Sequence, residues 1–290
     1  MRKLLLLPLA VALMAIPASA HQGNGPFLAI QFPDDGLPTI DGDISEWQAL
    51  PDYFQVLIEE ARAPADWNLE INKADLDFGY WGGYNPTNDK LYAAAWAFDD
   101  IHVRDDPDGT DCACNDDSYE FFTDADHSVD TGGDYGIGWW NITWPPVAGV
   151  SHAGGGGPGF NHDPAYMNYA VTFEGEEFGE STYYYEVEFV PFDVLSKDGD
   201  GNDNGSVQST LDPGETIHWE MIMTDDDAEL SDRAEQYPNG RWKNDGWWSL
   251  GVGAAHSDTA PDWELDTDVT SAMATAVESK TWGRLKSRFR

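Results

Sequence analysis

Polar and apolar side chains alternate along residues 115–124. Tyr119, Phe121 and Thr123 fall on one side of a period of two, and Ser118, Glu120 and Phe122 on the other. That pattern predicts a strand with acidic ends. The same period recurs at Asp75–Trp81, Lys90–Asp99, Ile137–Trp144, Met167–Phe173, Tyr183–Pro191 and Ile217–Met223, with a further short strand around Phe27–Phe32. In Lys90–Asp99 the shared face is Tyr92, Ala94, Trp96 and Phe98. In the Tyr183 strand, Tyr183, Tyr185, Val187 and Phe189 oppose Tyr184, Glu186 and Glu188. Residues 85–89 read as a turn. Tyr53–Arg62 fits a helix or a strand equally well. Short strands separated by turn signals predict an all-β fold, an antiparallel β-sandwich of jelly-roll type.

Other stretches punctuate this pattern. Asp41-Gly42 makes a turn, and Trp47 follows a short helical turn at the spacing of a core plug. Residues 148–163 form a Gly-rich insertion. The last residues change character: Lys280, Arg284, Lys286, Arg288 and Arg290 are basic, and Trp282, Leu285 and Phe289 recur at helical spacing. Residues 276–290 therefore read as a short basic amphipathic helix, able to dock on the acidic body or to engage an envelope partner. At the other end, Arg2-Lys3, an apolar run from Leu4 to Ile16 and Pro17-Ala18-Ser19-Ala20 have the form of a secretory signal peptide over residues 1–20. That leaves 21–275 as one sandwich, secreted or periplasmic. No apolar run is long enough for a transmembrane helix.

Charge narrows the partners. The 290 residues carry a formal net charge of -38, and removal of Arg2 and Lys3 makes the body more acidic still. Such a surface repels nucleic acid and anionic lipid. It suits calcium, cationic partners or a saline habitat.

Several groups invite chemistry. Glu120 stands between aromatics, where a carboxylate is costly unless it is paired or exposed. Asp198, Asp200, Asn202 and Asn204 offer hard oxygens at alternate positions, as calcium loops do, without the Gly and Glu of an EF-hand. Asp124 and Asp126 form a second candidate calcium cluster, and Asp105, Asp106, Asp108 and Asp111 a third. Cys112 and Cys114, the two cysteines, are candidates for a small local disulfide. Three other chemistries have weaker footing. Glu186 and Glu188 lie about 7 Å apart along one strand face, a spacing within reach of glycoside hydrolysis. His21, exposed as a new N-terminus, has the form of a copper-brace ligand. Met167, Met221, Met223 and His218 are the candidate haem ligands. Among the thirteen tryptophans, core packing outnumbers ligand platforms.

Taken in order, Asp41-Gly42-Asp43…Trp47, Lys90-Leu91-Tyr92…Phe98-Asp99-Asp100, Asn115–Asp124, Tyr185–Phe192 and Trp219–Asp227 resemble the family 9 carbohydrate-binding module over residues 39–252. The resemblance implies a β-sandwich related to the DOMON-type domains. It implies non-catalytic binding of a polysaccharide or oligosaccharide, linked to carbohydrate catabolism and polysaccharide breakdown. It assigns Glu120 to sugar hydroxyls, Trp247 or Trp248 to a stacking clamp and Arg233 or Arg241 to a polar contact. The other clamp aromatic belongs six residues before Glu120, where this chain has Cys114. Trp140 is a substitute platform, as are Trp81, Trp139, Trp144 and Trp242. The alternative is an envelope structural protein that kept the sandwich and lost the sugar site.

Overall fold

A computed structural model describes residues 25–62, 70–104, 116–126, 139–143, 166–194, 207–227, 246–250 and 260–267. In chain order the strands are β1 (Phe27–Gln31), β2 (Val56–Leu57), β3 (Leu76–Asn85), β4 (Lys90–Asp99), β5 (Ser118–Asp124), β6 (Trp139–Thr143) and β7 (Met167–Gly175). They continue with β8 (Ser181–Phe189), β9 (Phe192–Val194), β10 (Val207–Gln208), β11 (Thr216–Asp225), β12 (Gly246–Ser249) and β13 (Asp262–Leu265). The first sheet runs β6-β5-β11, with β12 and β13 following one another along the far edge of β11. The second runs β3-β4-β8-β7, with β2 also on β3. β9 and β10 form a separate two-stranded ribbon.

β1 belongs to both sheets. Phe27, Leu28 and Ala29 pair with β13, then Ile30 and Gln31 pair with β3. Both pairings are parallel, so the expected antiparallel sandwich is antiparallel except at this corner strand. Every other pairing among the described residues is antiparallel.

Alternation decides what lies between the sheets. Tyr119 and Phe121 of β5 and Trp219, Met221 and Met223 of β11 meet Phe78 and Tyr80 of β3 and Tyr183, Tyr185, Val187 and Phe189 of β8. β4 contributes Leu91 and then Ala93, Ala95 and Ala97, whose small side chains leave room for the facing rings. Tyr80 stacks on Tyr119 with ring centroids 5.5 Å apart, one ring from each sheet. The Trp263 Nε1–H donates to the Trp219 carbonyl at 2.8 Å, so a buried indole is satisfied. Each such ring contributes about 1.5–3 kcal/mol through burial. Met167, Met221 and Met223 are all buried in this cluster.

The outer face of the second sheet has a core of its own. Phe32, Ile44, Trp47, Leu50 and Phe54, from the chain before β2, pack on Trp81, Tyr92 and Ala94. Trp47 plugs this layer as its spacing implied, after a 3-10 turn at Ile44–Glu46. Tyr53–Arg62 is neither a long helix nor a long strand: it comprises two 3-10 turns, Asp52–Phe54 and Ile58–Glu60, flanking β2. Phe54, Val56 and Ile58 are buried at a period of two across this stretch, with Gln55 and Leu57 between them more exposed. The residues assigned to the leader, the Gly-rich insertion and the C-terminal helix lie outside the described set. No helix among the described residues is long and apolar enough to cross a membrane.

Candidate functional site

β5 lies between β6 and β11. The register sets Glu120 opposite Ile222 of β11 and Asn141 of β6, and Ser118 opposite Thr224 and Thr143. The outer face of this sheet therefore carries Ser118, Glu120 and Asp124 from β5 and His218, Glu220 and Thr224 from β11. All six are buried, so Glu120 is not the solvent-facing carboxylate that an isolated strand would present. Glu120 and Glu220 are diagonal neighbours across the β5–β11 ladder, and both engage further groups.

Two polar clusters flank the pair. At one end, Thr224 Oγ1 accepts the Ser118 backbone N–H at 2.8 Å, lies 2.8 Å from Ser118 Oγ and donates to the Asp116 carbonyl at 2.7 Å. Ser118 Oγ reaches Glu120 Oε1 at 3.5 Å. At the other end the His218 ring sits between two carboxylates, with Nδ1 3.1 Å from Asp124 Oδ2 and Nε2 3.3 Å from Asp262 Oδ1. Asp124, named above as a calcium ligand, here faces an imidazole.

The two tryptophans left open by sequence separate here. Trp248 pairs with Met223, lies 6% exposed and packs in the core. Trp247 pairs with Thr224, a register position on the Glu120 face. Trp140 pairs with Phe121, a register position on the core side. Arg233, Arg241, Cys112 and Cys114 lie outside the described residues, as do Asp198, Asp200, Asn202 and Asn204. Asp126 is exposed in the turn after β5.

A different set of carboxylates converges at one end of the sandwich. Asp99 ends β4, Asp117 precedes β5 and Asp225 ends β11, so both sheets contribute. Ligand atoms of Asp99, His102 and Asp117 lie within 4.8 Å of one another. So do those of Asp99, Asp225 and Asp227, and of Asp75, Asp100 and Asp227. Asp117 Oδ1 accepts the Asp226 N–H at 2.6 Å, and its other oxygen accepts the Val103 N–H. Burial pushes the Asp117 carboxyl well above the usual carboxylate range, and the neighbouring Asp99 and Asp225 push it further. An oxygen-rich set with mutually repelling charges has the donor chemistry for a hard cation such as calcium. The acidic doublets at strand ends are visible in the sequence. Which ends meet depends on strand pairing.

Glu186 belongs to another kind of site. Its Oε2 accepts the backbone N–H groups of Asp41 (3.1 Å) and Gly42 (2.8 Å), and its Oε1 accepts the Trp47 indole N–H at 3.0 Å. Gly42 adopts φ +82°, which favours glycine. Burial raises the Glu186 carboxyl to about 7, although the Asp41 and Gly42 amides pull it down. Its strand neighbour Glu188 is paired with Lys90 at 3.3 Å. The two glutamates weighed as a hydrolytic pair are thus an internal anchor and a surface ion pair.

No family model matches the sequence, and no curated protein does. Solved structures do. A family 9 carbohydrate-binding module from Caldicellulosiruptor kristjanssonii, in complex with cellotriose, matches with a TM-score of 0.53 and 11% identity over 84% of this chain and 97% of that one. A family 9 module from the same organism in complex with glucose gives 0.47 and 12%, over 84% and 98%. A Bacteroides uniformis ATCC 8492 structure described as a candidate carbohydrate-binding protein gives 0.46 and 9%, over 83% and 98%. At such identities the likeness is one of fold, and the fold is the one that the family 9 resemblance implied.

Proposed function

We propose that this chain is a non-catalytic carbohydrate-binding protein whose ligand meets the outer face of the first sheet at Glu120. One observation carries this reading: a buried carboxylate at the middle of β5 shares a face with the register position of Trp247. A desolvated carboxylate accepts charge-assisted hydrogen bonds from sugar hydroxyls, and an indole supplies the apolar surface for a sugar ring. The fold it shares with a module solved in complex with cellotriose supports a neutral oligosaccharide as ligand. Secretion after loss of residues 1–20 and a role in delivering a catalytic partner to polysaccharide complete the proposal.

Calcium is the second component. Asp99, Asp117 and Asp225 would hold it, with Asp227 beside them, and it would neutralise carboxylates that otherwise repel across the two sheets. Its role would be to stiffen the end of the sandwich from which β5 starts.

Calorimetric titration of the chain with cellotriose and other neutral oligosaccharides tests the reading. Glu120→Gln should weaken binding at least tenfold, equivalent to about 1.4 kcal/mol, with little change in melting temperature. Unchanged affinity would remove Glu120 from the site. Absence of binding across the panel would favour the second reading, a surface structural protein. The presence of Cys114 where the family pattern has a clamp aromatic speaks for that alternative.

A further inference from the structure

The outer face of the second sheet is covered by the chain before β2, but not completely. Between that cover and strands β3, β4 and β8 lies an open depression of about 300 Å³, within the range of small-molecule sites. Its walls are aromatic. Trp81 is buried at 3% exposure, while Trp96 and Tyr184 are half-buried. Trp96 and Tyr184 stand directly opposite each other on β4 and β8, and Gly79 lies opposite Trp96 on β3. A Cβ at residue 79 would come within 2.6 Å of both Trp96 Nε1 and Gln55 Nε2. Glycine therefore lets the indole lie across β3 and brings its N–H and the Gln55 amide to one place.

The polar groups at this place are not used by the fold. Among the described residues, the side chains of Gln48, Asp52, Gln55 and Thr182 and the Trp96 indole N–H make no hydrogen bond within the chain. They form a mixed set of donors and acceptors around an aromatic floor. A second depression of about 400 Å³ continues from the first, sharing Gln48 and Tyr184 and adding Ser45, Thr172 and Glu174. No Lys or Arg lines either one.

We propose that this groove is a second saccharide site, on the opposite sheet from Glu120, for a neutral oligosaccharide of two or three rings. The aromatic row would stack against the C–H face of one ring, and the free amides, carboxylate and hydroxyl would meet its hydroxyl groups. The second depression would hold the next ring. A polyanionic glycan is disfavoured by Asp52, Glu174 and the -38 charge of the chain.

The test is calorimetric titration of the full chain with four neutral trisaccharides: cellotriose, xylotriose, mannotriose and maltotriose. Four variants are compared with the parent: Trp96→Ala, Gln55→Ala, Asp52→Asn and Glu120→Gln. At least one trisaccharide should show a binding component that weakens about tenfold in Trp96→Ala, and measurably in Gln55→Ala and Asp52→Asn, and that is distinct from the component weakened by Glu120→Gln. The substitutions at Gln55 and Asp52 change side chains that make no hydrogen bond within the chain, so they report even if Trp96→Ala fails to fold. If all binding is lost in Glu120→Gln and unmoved by the three groove variants, the second site does not exist and the Glu120 site stands alone. If no trisaccharide binds the parent chain, the groove proposal is overturned together with the carbohydrate reading.

Discussion

Glu120 and Glu186 occupy matching places in the two sheets. Each sits near the middle of an interior strand, on the outer face, and each is fully buried. Their surroundings differ. Glu186 receives three N–H donors from a segment 139 to 145 residues earlier in the chain, which closes over it. Glu120 engages neighbours within its own sheet, among them Ser118 Oγ at the limit of a hydrogen bond, and has another buried glutamate, Glu220, on the next strand. Burial is the same, so burial does not distinguish an anchor from a binding group. The partners do. The Glu186 carboxylate ties a distant segment to its sheet, whereas Glu120 stands beside a like carboxylate on a polar strand face.

The largest effect that would sharpen this contrast is on stability. Glu186→Ala leaves two backbone N–H groups and an indole N–H without their acceptor, and should cost about 3–5 kcal/mol in urea unfolding. A cost below about 1 kcal/mol would make the anchor assignment wrong.

The next effect is the pH dependence. The folded Glu186 carboxyl, at about 7, lies above its ordinary 4.5, so between these values the folded state holds more protons than the unfolded one. Stability is full below about 4.5 and falls as pH rises toward 7, by up to about 3 kcal/mol. Asp117 acts in the same direction. Unfolding in chelator at pH 5 and pH 8 should show a more stable chain at pH 5, and Glu186→Gln should flatten the slope. A stability that rises with pH would contradict the raised carboxyl.

Calcium should oppose that slope. At about a hundred times its dissociation constant it would add about 2.7 kcal/mol, read as a rise in melting temperature, and Asp117→Asn should remove most of the gain. An equal gain in Asp117→Asn would place the cation elsewhere. The smallest effect belongs to the open groove. Tyr184→Phe loses only a 3.4 Å contact with exposed Glu174, and unfolding should shift by less than about 0.5 kcal/mol.

Much of the fold was legible because a strand has a period of two. Tyr183, Tyr185, Val187 and Phe189 face the core as their alternation predicted, and Glu186 and Glu188 face outward. The strand at Phe27–Gln31 was legible, but not its place at the corner between the two sheets, and β12 and β13 were not legible, because a strand of four or five residues declares neither its neighbours nor its direction. Trp247 and Trp248 show the same limit at the site. Adjacent residues on a strand must face opposite ways, but only pairing with Thr224 and Met223 decides which one turns inward.

The amino-acid sequence by itself determined the all-β character, the in-and-out pattern of most strands and the plugging role of Trp47. These follow from local periodicity and from side chains too large and apolar to leave in water. Only the tertiary structure decided that Glu186 is an anchor, that Asp99, Asp117 and Asp225 meet, and that Gly79 brings Trp96 and Gln55 to a common groove. Each joins groups far apart in the chain, and their proximity depends on strand register, which hydrogen bonding between non-adjacent segments sets.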